Sequence, residues 1–177
     1  MKTSFALVPA VLVFGLGLNA SPTAATPPAP VHCQVPCGIY GDRLRIELLM
    51  EDCATIEKGM AQIREMESSS TMNSNQMVRW VLTKDEHAAK IQEQVASYWL
   101  AQRIKAPQAG GDASAQQKYV TQLQLMHGIT VAAMKCKQTT DAAHPNQIRE
   151  LALAFSKTYF SEQDLEHLHE EHGGEHK

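Results

Sequence analysis

The sequence predicts an all-α chain, an antiparallel up-and-down four-helix bundle preceded by a short N-terminal hook. Three observations lead there. From about Arg43 onward apolar residues recur at steps of three and four, and clusters of helix-breaking residues cut that pattern into four stretches. Strand signals are few, and short connections between successive helices favour antiparallel neighbours. With 177 residues and 44% apolar content the chain can bury one sizeable core, so one domain with appendages is expected.

Each helix is justified in turn. Leu49, Cys53, Ile56, Met60 and Ile63 step by four, three, four and three, which puts them on one face of the first helix. Ser68 to Asn75 is polar and rich in residues that compete with helical hydrogen bonding, so it should form the first turn. Met77, Val81, Lys84, Ala88, Ile91, Val95 and Tyr98 repeat the same steps in the second helix, with Lys84 the one polar residue among them. Pro107, Gly110 and Gly111 stop that helix, and Asp112 can cap the third. The third runs from about Ala113 to Gln138 and offers Val120, Leu123, Leu125, Ile129, Met134 and Cys136 to the core. Thr139 to His144 makes a turn, Pro145 suits a first helical position, and Ile148, Leu151, Phe155 and Tyr159 form the last stripe. The bundle should occupy residues 43–165.

The flanks carry different messages. Residues 1–25 have the layout of a secretory signal peptide, with Lys2 ahead of an apolar run from Phe5 to Leu18 and small residues at Ala20, Ala24 and Ala25. The run is shorter than the roughly 20 apolar residues that span a bilayer core, so export to a periplasm or the exterior is expected, with no stable membrane anchor in the mature form. Residues 26–31 continue a Pro-rich stretch that reads as a linker or propeptide. A net charge of -3 with both signs interspersed gives no basic footprint, which excludes a nucleic-acid partner. The tail, residues 166–177, places His167, His169, His172 and His176 among acidic residues, as either a metal-capturing tract or a solvated end.

The chemistry is concentrated in the hook, residues 32–42, which opens His32-Cys33-Gln34-Val35-Pro36-Cys37-Gly38-Ile39-Tyr40. One imidazole and two thiols lie within six residues, and Pro36 and Gly38 bracket the second thiol in a tight turn. Taken alone, two cysteines four apart are compatible with a disulfide or half of a zinc site.

His-Cys-x-x-Pro-Cys-Gly-x-Tyr followed by four helices closely resembles the nickel superoxide dismutase family, and Arg45-Ile46-Glu47, Trp99 and Lys118-Tyr119 extend the resemblance. The resemblance implies an enzyme that converts superoxide to oxygen and hydrogen peroxide by cycling between Ni(II) and Ni(III), with one nickel ion per subunit of a homohexamer. It also implies the metal ligands: His32 through its terminal amine and ring, Cys33 through its backbone nitrogen and thiolate, and Cys37 through its thiolate. Thiolates and a deprotonated amide are anionic donors that stabilise the higher oxidation state, as the chemistry requires. Tyr40 matches the tyrosine near the open face of nickel. Glu47 matches, after one deleted residue, the glutamate that orients the axial imidazole, and His87 stands where the family usually has the arginine supporting that glutamate.

Two departures bear on function. Cleavage after Ala20 or Ala25 leaves a stub ending in Val31, so without a second cut His32 has no free amine to donate, and the resemblance implies a maturation peptidase for that cut. Cleavage after Ala29 would instead leave Pro30-Val31-His32, a terminus able to bind copper or nickel without turnover. The alternative function is therefore a nonenzymatic exported protein that binds nickel or copper through the hook and the His-rich tail. The second departure is a pair of extra thiols, Cys53 and Cys136, on the core faces of helices one and three, either inert packing or a disulfide between helices.

Overall fold

The computed structural model describes residues 40–162, and all regular structure among them is helical. Helix α1 spans Asp42–Ser68, α2 spans Ser74–Gln94 and runs on as a π-helical segment Val95–Arg103, α3 spans Ala113–Gln138 and α4 spans Ala143–Tyr159. Each helix packs on two neighbours, α1 and α3 both lying against α2 and α4, which is the arrangement of a four-helix bundle. Side-chain contacts identify what lies at each end. Tyr159 of α4 reaches Asp42 at the start of α1, and Gln122 in α3 donates to the Thr158 carbonyl of α4. At the opposite end Arg64 of α1 bonds the Thr140 carbonyl beside the start of α4. The signal-peptide residues 1–25, the linker 26–31, hook residues 32–39 and the tail 166–177 lie outside the described residues.

The helix boundaries follow local chemistry. Asn73 caps α2 by accepting from the Gln76 amide at 3.2 Å, and Asp112 caps α3 by accepting from the Ser114 amide at 3.3 Å. Gly110 precedes that cap at φ 78°, a backbone conformation that side chains disfavour. Asp141 accepts from the Ala143 amide at 2.9 Å, so α4 starts two residues earlier than Pro145. Pro145 still falls in the first turn, where its missing N–H costs nothing. The second helical stretch ends at Arg103, four residues ahead of Pro107, because Ile104 is already extended.

Leu49, Cys53, Ile56, Met60 and Ile63 are all buried, as their spacing predicts, together with Ala88, Ile91, Val95 and Tyr98 from the second stripe. The first turns of α2 behave differently. Val78, Val81 and Leu82 are exposed, so the buried seam of this helix begins at Lys84. The face of α3 is also displaced from the expected one. Gln122, Met126, Ile129, Ala132, Ala133 and Cys136 line the interior, whereas Met134 is 41% exposed. The small residues Ala132 and Ala133 are buried in the seam, and the bulky Met134 lies outside it.

The π-helical segment shapes the end where the hook enters. Its turns are wider than α-turns, as shown by the Ile104 amide donating to the Trp99 carbonyl at 2.8 Å across five residues. Adjacent Tyr98 and Trp99 are thereby both buried. Trp99 meets Tyr98, Phe155 and Tyr159 edge-on at centroid distances of 5.1, 4.9 and 5.3 Å, an aromatic plug across this end of the core.

Candidate metal centre

Tyr40 is the point where the hook meets the bundle. Its side chain is 39% exposed, with the Arg103 guanidinium 4.1 Å from the ring centroid and the Tyr98 ring edge-on at 6.0 Å. Two residues later Asp42 opens α1 and gathers four hydrogen bonds on one carboxylate. Tyr98 Oη and Arg103 Nε donate to Oδ1 at 2.6 and 2.8 Å, and Arg103 Nη2 and Tyr159 Oη donate to Oδ2 at 2.5 and 2.8 Å. Burial alone would push the Asp42 carboxyl up, but the Arg103, Tyr98 and Tyr159 hydrogen bonds together hold it below its ordinary value. Burial and the bond to Asp42 push the Tyr159 phenol up to about 12. The same causes raise Tyr98, and the Asp42 hydrogen bond raises Arg103, so every donor stays protonated at neutral pH.

This knot has a pH signature. The Asp42 carboxyl is lower in the folded chain than its ordinary 3.8, so its stabilisation is complete above that value and disappears as pH falls through the folded value. Unfolding free energy measured by urea titration should therefore decline steeply below about pH 4, and Asp42→Asn should flatten that decline while lowering stability at pH 7. An unchanged slope in the variant would show that Asp42 titrates alike in both states.

The other expected site residues sit on the bundle. Glu47 lies on α1, half-buried, with Arg43 Nε at 3.1 Å one turn back. His87 lies on α2, and its Nδ1 is 2.6 Å from Asp52 Oδ1, with Lys90 Nζ 3.5 Å from its other ring nitrogen. The carboxylate in contact with His87 is thus Asp52, and that of Arg43 is Glu47. His87 and Asp52 line a cavity of about 440 Å³ between α1 and α2, along with Arg45, Lys90, Glu93 and Tyr98. His32, Cys33 and Cys37 lie outside the described residues. Sequence reasoning missed Asp42 and Arg103 altogether and read Tyr159 only as a member of the last apolar stripe, without its bond to Asp42. The signal it had was an acidic residue at a helix start, which is ordinary, and an arginine whose destination depends on the wide π-turn.

The donor set can be tested against a nickel ion. The chain has four cysteines, and Cys53 and Cys136 are buried and free. Burial pushes their thiols up to about 12 and about 11, so they are protonated packing residues rather than ligands or disulfide partners. Among the described residues no group of three or more His, Cys, Asp and Glu could hold a metal. The thiols that the resemblance implies as ligands, Cys33 and Cys37, would with His32 make a soft, nitrogen-and-sulfur donor set whose chemistry fits nickel.

Among the described residues no helix is long and apolar enough to cross a membrane. Comparison with curated proteins and with solved structures found no match. A family model described as nickel-containing superoxide dismutase matches residues 26–163, a span that starts ahead of His32, takes in both hook thiols and ends just past α4. Most of the chain is covered, hook and bundle together, and it follows that this protein belongs to the nickel-containing superoxide dismutase family, oxidoreductases acting on superoxide.

Proposed function

We propose that the mature protein starts at His32 and disproportionates superoxide at one nickel ion per subunit, held by His32, Cys33 and Cys37 as the resemblance implies. When bound, nickel supplies a one-electron couple between Ni(II) and Ni(III) that lies between the two superoxide couples. The chain's own residues set the conditions for it. Cys33 and Cys37 provide anionic sulfur, and the amine freed at His32 and the amide of Cys33 provide nitrogen. Tyr40 stands at the mouth of the site and limits access to small anions. Glu47 orients the His32 ring by accepting its N–H, while His87, in the place of the family arginine, pairs with Asp52 rather than with Glu47.

The observation that carries this reading is the unbroken run His32-Cys33-x-x-Pro36-Cys37-Gly38-x-Tyr40 directly before α1, inside the matched span. Export through residues 1–25, a second cut after Val31 by a maturation peptidase, and assembly into a homohexamer complete the proposal. The His-rich tail is a candidate for capturing nickel before loading.

Intact mass of protein from its native producer, under native and denaturing conditions, tests the reading together with a superoxide-consumption assay. The expected result is a chain starting at His32 with about one nickel ion, matching the ligand set above. A retained stub, no nickel and a Cys33–Cys37 disulfide would sink the enzyme mechanism and leave metal binding or a structural clasp.

A further inference from the structure

We propose that Arg103, fixed by Asp42, is a positioning residue that holds the Tyr40 ring in place for the reaction. The inference rests on the reading above that Tyr40 guards the nickel site. Tyr40 is exposed enough that burial cannot order it, because more than a third of its surface faces solvent. What covers its face is the Arg103 guanidinium, 4.1 Å from the centroid, a cation–π arrangement that favours one ring placement.

That guanidinium cannot swing. Two of its nitrogens bond the two Asp42 oxygens at 2.8 and 2.5 Å, a bidentate geometry that fixes a plane as well as a distance. Tyr98 and Tyr159 occupy the remaining lone-pair directions of the same carboxylate, so Asp42 has no freedom to follow a moving partner. Tyr98 is held in turn by the Arg45 guanidinium 4.8 Å over its ring. The plate behind Tyr40 is thus braced from α1, α4 and the π-helical segment at once. Arg103 is the last residue of the wide π-helical segment, which the Ile104 amide closes by donating to the Trp99 carbonyl across five residues, while the Gln102 side chain donates to the Ser97 carbonyl at 2.8 Å. Wide turns of this kind recur at functional sites. Lysine cannot replace this arginine, because an ammonium has neither the flat face nor the two-pronged fork.

The test is a double-variant cycle on the processed, nickel-loaded protein, using Arg103→Lys, Tyr40→Ala and the pair. Ring-labelled tyrosine NMR of the same processed proteins gives a readout independent of turnover. Arg103→Lys is expected to leave nickel per chain unchanged and to lower kcat/KM by about tenfold, the lower end of the cost of changing residues that support a metal site. It should also shift and narrow the Tyr40 ring signals as the ring gains freedom. In the Tyr40→Ala background the same change should cost less than about twofold, because the ring through which Arg103 acts is gone. An equal loss in both backgrounds, or Tyr40 signals that do not move, would overturn the proposal and leave Arg103 a stabilising residue only. Should the wild type hold no nickel, the function proposed above fails, while the Tyr40 signals still decide whether Arg103 positions that ring.

Discussion

Cys33→Ser or Cys37→Ser, each in the processed chain, is expected to abolish nickel retention and to lower superoxide consumption by on the order of 1000-fold, beyond the 10- to 100-fold typical of supporting residues. The physical reason is that a serine hydroxyl is neither soft nor deprotonated at neutral pH, so it cannot replace a thiolate in the proposed role of binding nickel and lowering the cost of its oxidation. Cys53→Ala and Cys136→Ala serve as controls. Both thiols are buried and pushed up to about 12 and about 11, so removing either should leave nickel per chain and kcat unchanged while lowering stability modestly. Metal content by mass spectrometry, the thiolate-to-nickel absorption bands and the superoxide assay check all four variants. Nickel retained at full stoichiometry in Cys37→Ser would remove that residue from the ligand set.

Lys84→Met carries the largest expected loss of stability. The Lys84 side chain is 3% exposed, yet its ammonium is fully occupied, donating to the Cys136 and Lys137 carbonyls at 2.7 and 2.9 Å and to Asp85 Oδ1 at 2.7 Å. Those carbonyls belong to the last turn of α3, where helix geometry supplies no internal partner. A positive charge at that end also complements the helix dipole. Methionine keeps the apolar stem and packs against Gly59, whose close approach to the Lys84 Cβ brings α1 and α2 together, but it leaves the carbonyls without a donor. The expected cost is about 3 kcal/mol, from removing charged hydrogen bonds and orphaning buried acceptors, or a fall of roughly 10 °C in Tm. Lys137→Met, which removes a partly buried bond to Gln92 Oε1, should cost about 1 kcal/mol or less. Calorimetry of both variants separates the two cases. Equal small shifts would mean that water takes over the α3 carbonyls when Lys84 is lost.

Lys84 also illustrates how far periodicity reads. It falls on the second stripe at the correct step, and the structure buries it there, but the pattern has no means of saying why a charge belongs in a core. Its partners are 52 and 53 residues away in sequence. The same limit explains α3. Its apolar residues are spread around the helix, so the sequence admits more than one buried face, and the choice of Met126 and Ala133 over Met134 depends on which neighbours α3 meets. For α2, Val78, Val81 and Leu82 are apolar yet exposed, although the Trp80 backbone between them approaches Gly59 of α1, so apolar character alone did not identify the buried face.

What the sequence determined by itself is the helical class, the number of helices and the turns between them. Those follow from local chemistry: side-chain spacing, the cap at Asp112, the polar turn ahead of α2 and the breakers at Gly110 and Gly111. The protonated state of Cys53 and Cys136, the wide turn at 95–103 and the knot on Asp42 were decided only by tertiary structure. Each depends on burial or on groups brought together from distant parts of the chain, Asp42 and Tyr159 being 117 residues apart, and the energies of burial and of long-range hydrogen bonds have no local signature for a sequence pattern to carry.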